Sequence, residues 1–239
     1  FDRVMEKNNT IQSAEIQSGV HSVILAKDVI PDGQMKVDMA MHAEMDMQDT
    51  TDLKYLAQIA SSILGQDSYS QVFYTDGYYY VDTNGVKLKY PMPLEQIISS
   101  VQTGVTTSNM ESSYMKGISL NEVNGKRVLA YEANPKKLNK NVKEALGTVM
   151  NTLGTDVNLD MNIQEMKGAY VLDDNDYIIY MTNYIVYNME VLDQPMTCIT
   201  LMETEVQNPG EPVVVTLPST DGYEDLIGLY DGVIESEVE

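Results

Sequence analysis

Three features of the sequence predict an α+β fold built on one large, curved antiparallel sheet with a few helices against it. Long stretches alternate apolar and polar residues with a period of two, hairpin dipeptides separate several of them, and only a few segments carry helical spacing. The clearest alternation is MKVDMAMHAEMDM at 35–47, apolar at Met35, Val37, Met39, Met41, Ala43, Met45 and Met47, with Lys36, Asp38, His42, Glu44 and Asp46 among the intervening residues. At 3.3 Å per residue such a strand would be roughly 43 Å long, which a small flat sheet does not accommodate.

The other elements follow in chain order. FDRVMEKNNT at 1–10 is expected to form a short amphipathic helix, and 11–27 a strand with Ile16, Val20, Ser22 and Ile24 on one face. Pro31-Asp32-Gly33 turns that strand into the methionine strand. In 51–64, apolar residues at 53, 56, 59, 60, 63 and 64 predict a helix ended by Gly65. QVFYTDGYYYVDTNGVKLKYP at 71–91 holds a DG and an NG dipeptide, hence a three-strand ribbon. A helix is expected at 93–104, strands at 113–121 and 126–134 around Asn124-Gly125, and a helix at 135–154 with Leu138, Val142, Leu146, Val149, Met150 and Leu153 in one stripe. Residues 157–164 read as a strand with Val157, Leu159, Met161 and Ile163 on one face. Asp173 to Asp176 read as a turn, 177–191 and 196–206 as long strands, and the tail as one more strand with a short helical turn. All of this fits one domain over 1–239, with two helix-plus-meander halves, about 1–134 and 135–239, as a possible diverged duplication.

Composition narrows the function. With 239 residues, 43% of them hydrophobic, the chain can bury a sizeable core. Its 36 acidic against 15 basic residues, a formal charge of -21, repel phosphate backbones and anionic head groups, so nucleic acid is excluded as a partner and so is electrostatic docking on a membrane. The single cysteine, Cys198, allows no internal disulfide and alternates like a small core residue. No tryptophan and only two phenylalanines are present, so ring packing is expected to fill little of the concave face.

Motifs for catalysis are weak. There is no GxSxG elbow and no glycine-rich phosphate cradle, and among 36 acids a carboxylate pair at glycosidase separation arises by chance. Asp156, Asn158 and Asp160 open like a calcium loop, but Met161 and Lys167 stand where that loop needs Gly and Glu. The Asp173, Asp174, Asn175, Asp176 cluster is accounted for by turn chemistry, and His21 and His42 stand on outward strand faces without HExxH or cysteine partners. No metal, no cofactor and no enzymatic activity are therefore expected. Tyr78, Tyr79 and Tyr80 offer a ring platform for a sugar, or simply a good strand. The methionine stripe has two readings: an adaptable wall, since an unbranched thioether repacks around different partners, or methionine standing for leucine in an ordinary core.

The order of helix, long-strand hairpin, helical segment, FYTDGYYYVDTNGVKLKYP hairpin, helix, VNGKRVLAYEANP, helix, long meander and VVVTLPSTDGYEDL tail resembles the bacterial lipoprotein-carrier superfamily. Its types are the LolA and LolB carriers and the LppX- and LprG-type lipoproteins, and the chain resembles especially an uncharacterised branch of Gram-positive surface lipoproteins. The resemblance implies a half-open barrel with helices as a lid over an apolar cavity, a monomer outside the cytoplasm, and membrane attachment only through a lipidated cysteine upstream of Phe1. It also implies an acyl chain, lipid or other apolar small molecule as ligand. The cavity lining would be Val37, Met39, Met41, Met45, Met47, Leu159, Met161, Ile163, Met181, Ile185 and Met189. A closed-core interaction module of the cell envelope, or a glycan-binding module, stands as the alternative.

Overall fold

The computed structural model of the chain describes residues 1–26, 30, 32–49, 53–94, 96, 111–140, 161–191 and 194–226. One twelve-stranded sheet contains every described strand: β1 (Ser13–Leu25), β2 (Gln34–Asp46), β3 (Lys54–Ile63), β4 (Gln66–Thr75), β5 (Tyr78–Thr83), β6 (Val86–Pro91), β7 (Met115–Val123), β8 (Lys126–Ala133), β9 (Asn162–Leu172), β10 (Ile178–Val191), β11 (Gln194–Gln207) and β12 (Glu224–Asp225). The spatial order is β12-β6-β5-β4-β3-β2-β1-β11-β10-β9-β8-β7. Two antiparallel meanders, β1 to β6 and β7 to β11, therefore meet where the first strand pairs with the last long one. The sheet is open and curved, and its hydrogen bonding runs without a break across 134/135, because β8 pairs with β9.

Period-two patterning places the strands well: the methionine strand, the β4–β5–β6 ribbon, β7, β8, β10 and β11 all lie within a few residues of their expected bounds. The dipeptides Asp76-Gly77, Asn84-Gly85 and Asn124-Gly125 have positive φ at both positions, the backbone twist that two-residue hairpins need. Helix α1 (Asp2–Asn8) forms at the expected place.

The helix expected at 51–64 is a strand instead. Beside the helical stripe, the same segment alternates Tyr55, Ala57, Ile59 and Ile63 onto one strand face, and β3 gains two partners, β2 and β4, that a helix would forgo. Gly65 does not cap a helix; with Leu64 (φ 52°) it makes another two-residue turn. The expected tail strand is reduced to the two residues of β12. Residues 212–220 carry no strand pairing, in a stretch where Pro212 and Pro218 lack an N–H, and only Glu224 and Asp225 pair, parallel to β6. The expected helix at 93–104 lies mostly outside the described residues, as does 141–154 of the next one, of which 135–140 is helical; positions 157–160 lie outside them too.

Helix α1 is tied down through one buried amide. Asn8 Nδ2 donates to Val4 O (2.7 Å) and Asp176 O (3.1 Å), and its Oδ1 accepts from Ile178 N (2.9 Å). Around it Asp176 bridges Arg3 (2.9 Å) and Arg127 (2.7 Å), while Asp173 Oδ1 accepts from Asn175 N and Tyr177 N. The acidic cluster at 173–176 is thus a turn whose carboxylates are used by backbone and arginine.

Replacing Asn8 by alanine orphans a buried N–H and should cost about 2 kcal/mol, measured by urea unfolding. The Arg127 hydrogen bond, helped by Arg3, holds the Asp176 carboxyl below its ordinary value of 3.8. A carboxylate depressed in the folded state stabilises it above that value and loses the effect as pH falls through the folded pKa. The Tm gap between wild type and Asp176→Asn should therefore be widest near neutrality and close below about pH 4.

Candidate functional site

Strand parity and register define two faces. Side chains directly opposite each other in an antiparallel ladder share a face, so Ile16, Ser18, Val20 and Ser22 of β1 stand with Ala43, Met41, Met39 and Val37 of β2, and with Val206, Thr204, Met202 and Thr200 of β11. The same face continues through Met181, Asn183 and Ile185 of β10 and Tyr170, Gly168 and Met166 of β9. This is the core face, and β1, β2, β3, β9, β10 and β11 place no charged side chain on it. The opposite face carries the acids and amides. There His21 Nδ1 lies 2.7 Å from Asp38 and His42 Nε2 3.0 Å from Glu15, so both histidines are surface residues with carboxylate neighbours.

Of the residues expected to line an apolar cavity, the register brings Val37, Met39, Met41, Met45, Ile163, Met181, Ile185 and Met189 to the core face. They do not share one environment. Met45 and Met47 are 1% exposed, packed with Ala14, Ala43, Leu53 and Ala57 in the closed part of the core. Met41 and Ile185 are half-buried against that core, and Met39 is 37% exposed. Met161 is half-buried just before β9, and Leu159 lies outside the described residues. Among the described residues the core face is open at Met39 and Ile63 (44% exposed) near the β1–β2 and β3–β4 hairpins, at Val86 by the β5–β6 hairpin, and at Ile118 and Leu120 on the edge strand β7.

Tyrosine supplies the ring packing that the low Trp and Phe counts argued against. Tyr79 packs on Tyr90 and belongs with Tyr55 and Tyr74 to the core, where burial pushes the Tyr79 hydroxyl far up. The run Tyr78 to Tyr80 does not form one three-ring platform, because alternation sends Tyr79 to the core face and Tyr78 and Tyr80 to the other. There Tyr80, 5% exposed, stacks on Phe73 (centroids 4.6 Å apart) beneath Tyr223 of the tail.

The core face is not wholly apolar, and of its polar groups only Ser22 was placed there from the sequence. Ser18 and Thr204 share a hydrogen bond of 2.9 Å, as do Ser22 and Thr200. Deeper in, the Tyr131 hydroxyl donates to Asn183 Oδ1, and Tyr131 stacks on Tyr170 (5.2 Å) with Phe1 edge-on (5.9 Å). Burial raises the Tyr131 pKa, so the hydroxyl stays protonated and available as donor. Asn183 Nδ2 is buried and has no partner, a state that ordinarily costs about 1–3 kcal/mol. The available signal was parity: in YMTNYIV, asparagine occupies the same register as Met181 and Ile185. Gly168 makes room for the pair, since a Cβ there would sit 2.4 Å from Thr182 O and 2.7 Å from both Asn183 Oδ1 and the Tyr131 hydroxyl.

Cys198 is also on the core face, 3.7 Å from Met189 Sδ, and burial pushes its thiol pKa up, away from reactivity. On the opposite face lie two shallow grooves of about 590 and 560 Å³. One is bounded by Lys167, Tyr184 and Leu201, the other by Gln17, His42, Tyr69, Glu203 and Glu205 over a floor of Gly19, Ala40 and Ala60. Among the described residues no group of three or more His, Cys, Asp or Glu side chains is placed to hold a metal ion.

The family model for DUF6612, a family of unknown function, matches residues 1–218. The chain belongs to DUF6612. No curated protein matches this DUF6612 chain in sequence. Among solved structures it is similar to LprF from Mycobacterium bovis, with 10% identity over 91% of this chain and 94% of that one and a TM-score of 0.37. It is similar to the lipoprotein LppX from Mycobacterium tuberculosis, with 10% identity over 90% and 96% and a TM-score of 0.37. The ywiB protein from Bacillus subtilis has 11% identity over 84% and 96% and a TM-score of 0.26.

Gly168→Ala should destabilise the protein by about 1–3 kcal/mol, the usual cost of overpacking, because the obstacle includes backbone that cannot swing aside. Tyr131→Phe in the Gly168→Ala background should recover part of that loss in thermal melts, since it removes one of the crowded atoms.

Proposed function

We propose that this protein binds an apolar ligand, a lipid or acyl chain, on the core face of the sheet without catalysing a reaction on it. The observation that carries the reading is the continuation of the core face into exposed apolar surface at Met39, Ile63, Ile118 and Leu120. Such surface, continuous with a core and rimmed by polar strands, is costly to leave in water and is characteristic of ligand grooves. The methionines suit that role: their thioethers can repack against chains of different shape. Binding would be driven by desolvation, about 0.8 kcal/mol per buried CH₂, so ten methylenes contribute roughly 8 kcal/mol before the cost of association.

The sequence resemblance to lipoprotein carriers supports the same reading. It adds an extracytoplasmic, surface-anchored location, a monomeric state and membrane attachment only through a lipid anchor. Among the described residues no helix is long and apolar enough to cross a membrane. The competing reading, a closed-core interaction module, draws on Met45 and Met47, which are fully enclosed by protein.

Native mass spectrometry of freshly purified protein, followed by organic extraction, separates the two. The expected result is a discrete adduct that extracts as lipid, together with a Tm that rises on adding phospholipid or fatty acyl esters, because a ligand of the folded state stabilises it. Met39→Asp should weaken binding of such probes about tenfold or more, the equivalent of 1.4 kcal/mol, while leaving the Tm of the free protein nearly unchanged. A clean apo mass with no thermal shift from any acyl probe would sink the binding reading.

A further inference from the structure

Among the described residues, one buried side-chain polar atom lacks a hydrogen-bond partner, and it stands on the core face. Asn183 is 1% exposed; its Oδ1 is held by the Tyr131 hydroxyl, and its Nδ2 has no partner. We propose that Asn183 is the polar anchor of the bound ligand, its Nδ2 donating to an uncharged acceptor oxygen, an ester or amide carbonyl, of a molecule whose apolar chains lie on the methionine wall. This rests on the binding reading above and specifies the ligand's polar group.

Three features of the site lead there. The first is position: the row of side chains through Asn183 runs across the core face from Met39 on β2, through Val20 and Met202, to Gly168, Tyr131 and Ile118. The row is exposed at its two ends, so a chain entering over either end is led toward the amide.

The second is adaptability. Met202 stands directly opposite Asn183 on β11 and Met181 precedes it by two on β10, and both can change rotamer to admit a ligand without moving backbone. The amide itself is held at Oδ1 by the Tyr131 hydroxyl, which leaves its donor capacity at Nδ2.

The third is charge. Among the described residues β1, β2, β9, β10 and β11 put no cation on this face, and Arg127 of β8, opposite Leu172, is already engaged by Asp176 and Asp173 O, so an ionised carboxylate or phosphate brought to Nδ2 would be desolvated with no free cation beside it to neutralise it. A carbonyl oxygen needs only the one donor that is present. The hydroxyls nearby, Ser18 with Thr204 and Ser22 with Thr200, already satisfy each other and do not compete for it.

The test compares methyl laurate, laurate and dodecane on the full chain at pH 7.5, read by titration in native mass spectrometry and by thermal shift. Methyl laurate is expected to bind at least tenfold more tightly than either of the others. Asn183→Leu, close in size and without a donor, should keep dodecane binding and abolish the ester preference. Asn183→Asp, which at this pH can only accept, should also abolish it and serves if the leucine variant does not fold. Laurate binding as tightly as its ester, or an ester preference surviving in a folded Asn183 variant, overturns the proposal while leaving the binding reading standing. Failure of all three probes overturns both.

Discussion

The pairing of β1 with β11 is the constraint on which the rest of the structure depends, because it is the seam that turns two meanders into one sheet. Its register runs over eleven residue pairs, from Glu15 opposite Gln207 to Leu25 opposite Thr197, between the two ends of the chain. A slip of one residue would send every side chain of one meander to the wrong face. Two hydroxyl pairs, Ser18 with Thr204 and Ser22 with Thr200, sit across this seam and are mutually satisfied only in the observed register. Apolar pairs such as Ile16 with Val206 and Val20 with Met202 alternate with them and tolerate approximate fits; the hydroxyls are more exacting, since a misplaced partner leaves a buried polar group unpaired.

With the seam in place, the core face acquires a graded character. Where α1 packs, Val4, Met45, Met47 and Tyr170 make a closed core, and Asn8 locks the helix to the β9–β10 turn through two hydrogen bonds, to Asp176 O and from Ile178 N. Away from it, the same face thins toward Met39 and Ile63. The tail contributes from the other side: Val213 N donates to Ser13 Oγ, and Tyr223 covers Phe73 and Tyr80, so the acidic face is itself partly shielded where it carries large rings. A face that is apolar, free of charge on its central strands and only partly covered is unusual for a chain with formal charge -21. The acids are concentrated on the opposite face, where they keep the protein solvated without intruding on the wall.

Much of the strand content was legible because a two-residue period is a local signal, and because Asp76-Gly77, Asn84-Gly85 and Asn124-Gly125 encode their turns by backbone chemistry alone. Residues 53–64 show the limit of such signals: LKYLAQIASSIL satisfies a helical stripe and a strand stripe at once, and only the presence of β2 and β4 on either side settled the matter. The tyrosines were misjudged for a related reason. Composition counts a tyrosine as a polar-tipped strand former, whereas Tyr131 and Tyr170 act as core rings because partners are waiting for them.

By itself the sequence determined the faces of the strands, the methionine character of one of them, the positions of most turns and the acidity of the other face, since all of these follow from the nature and spacing of neighbouring residues. Tertiary structure alone decided the strand order, the β1–β11 seam, which methionines are sealed in the core and which lie open, and the meeting of Tyr131, Gly168 and Asn183. Those depend on residues far apart in the chain, and no local period records which distant strand will bring its hydroxyl, its ring or its missing side chain to a given place.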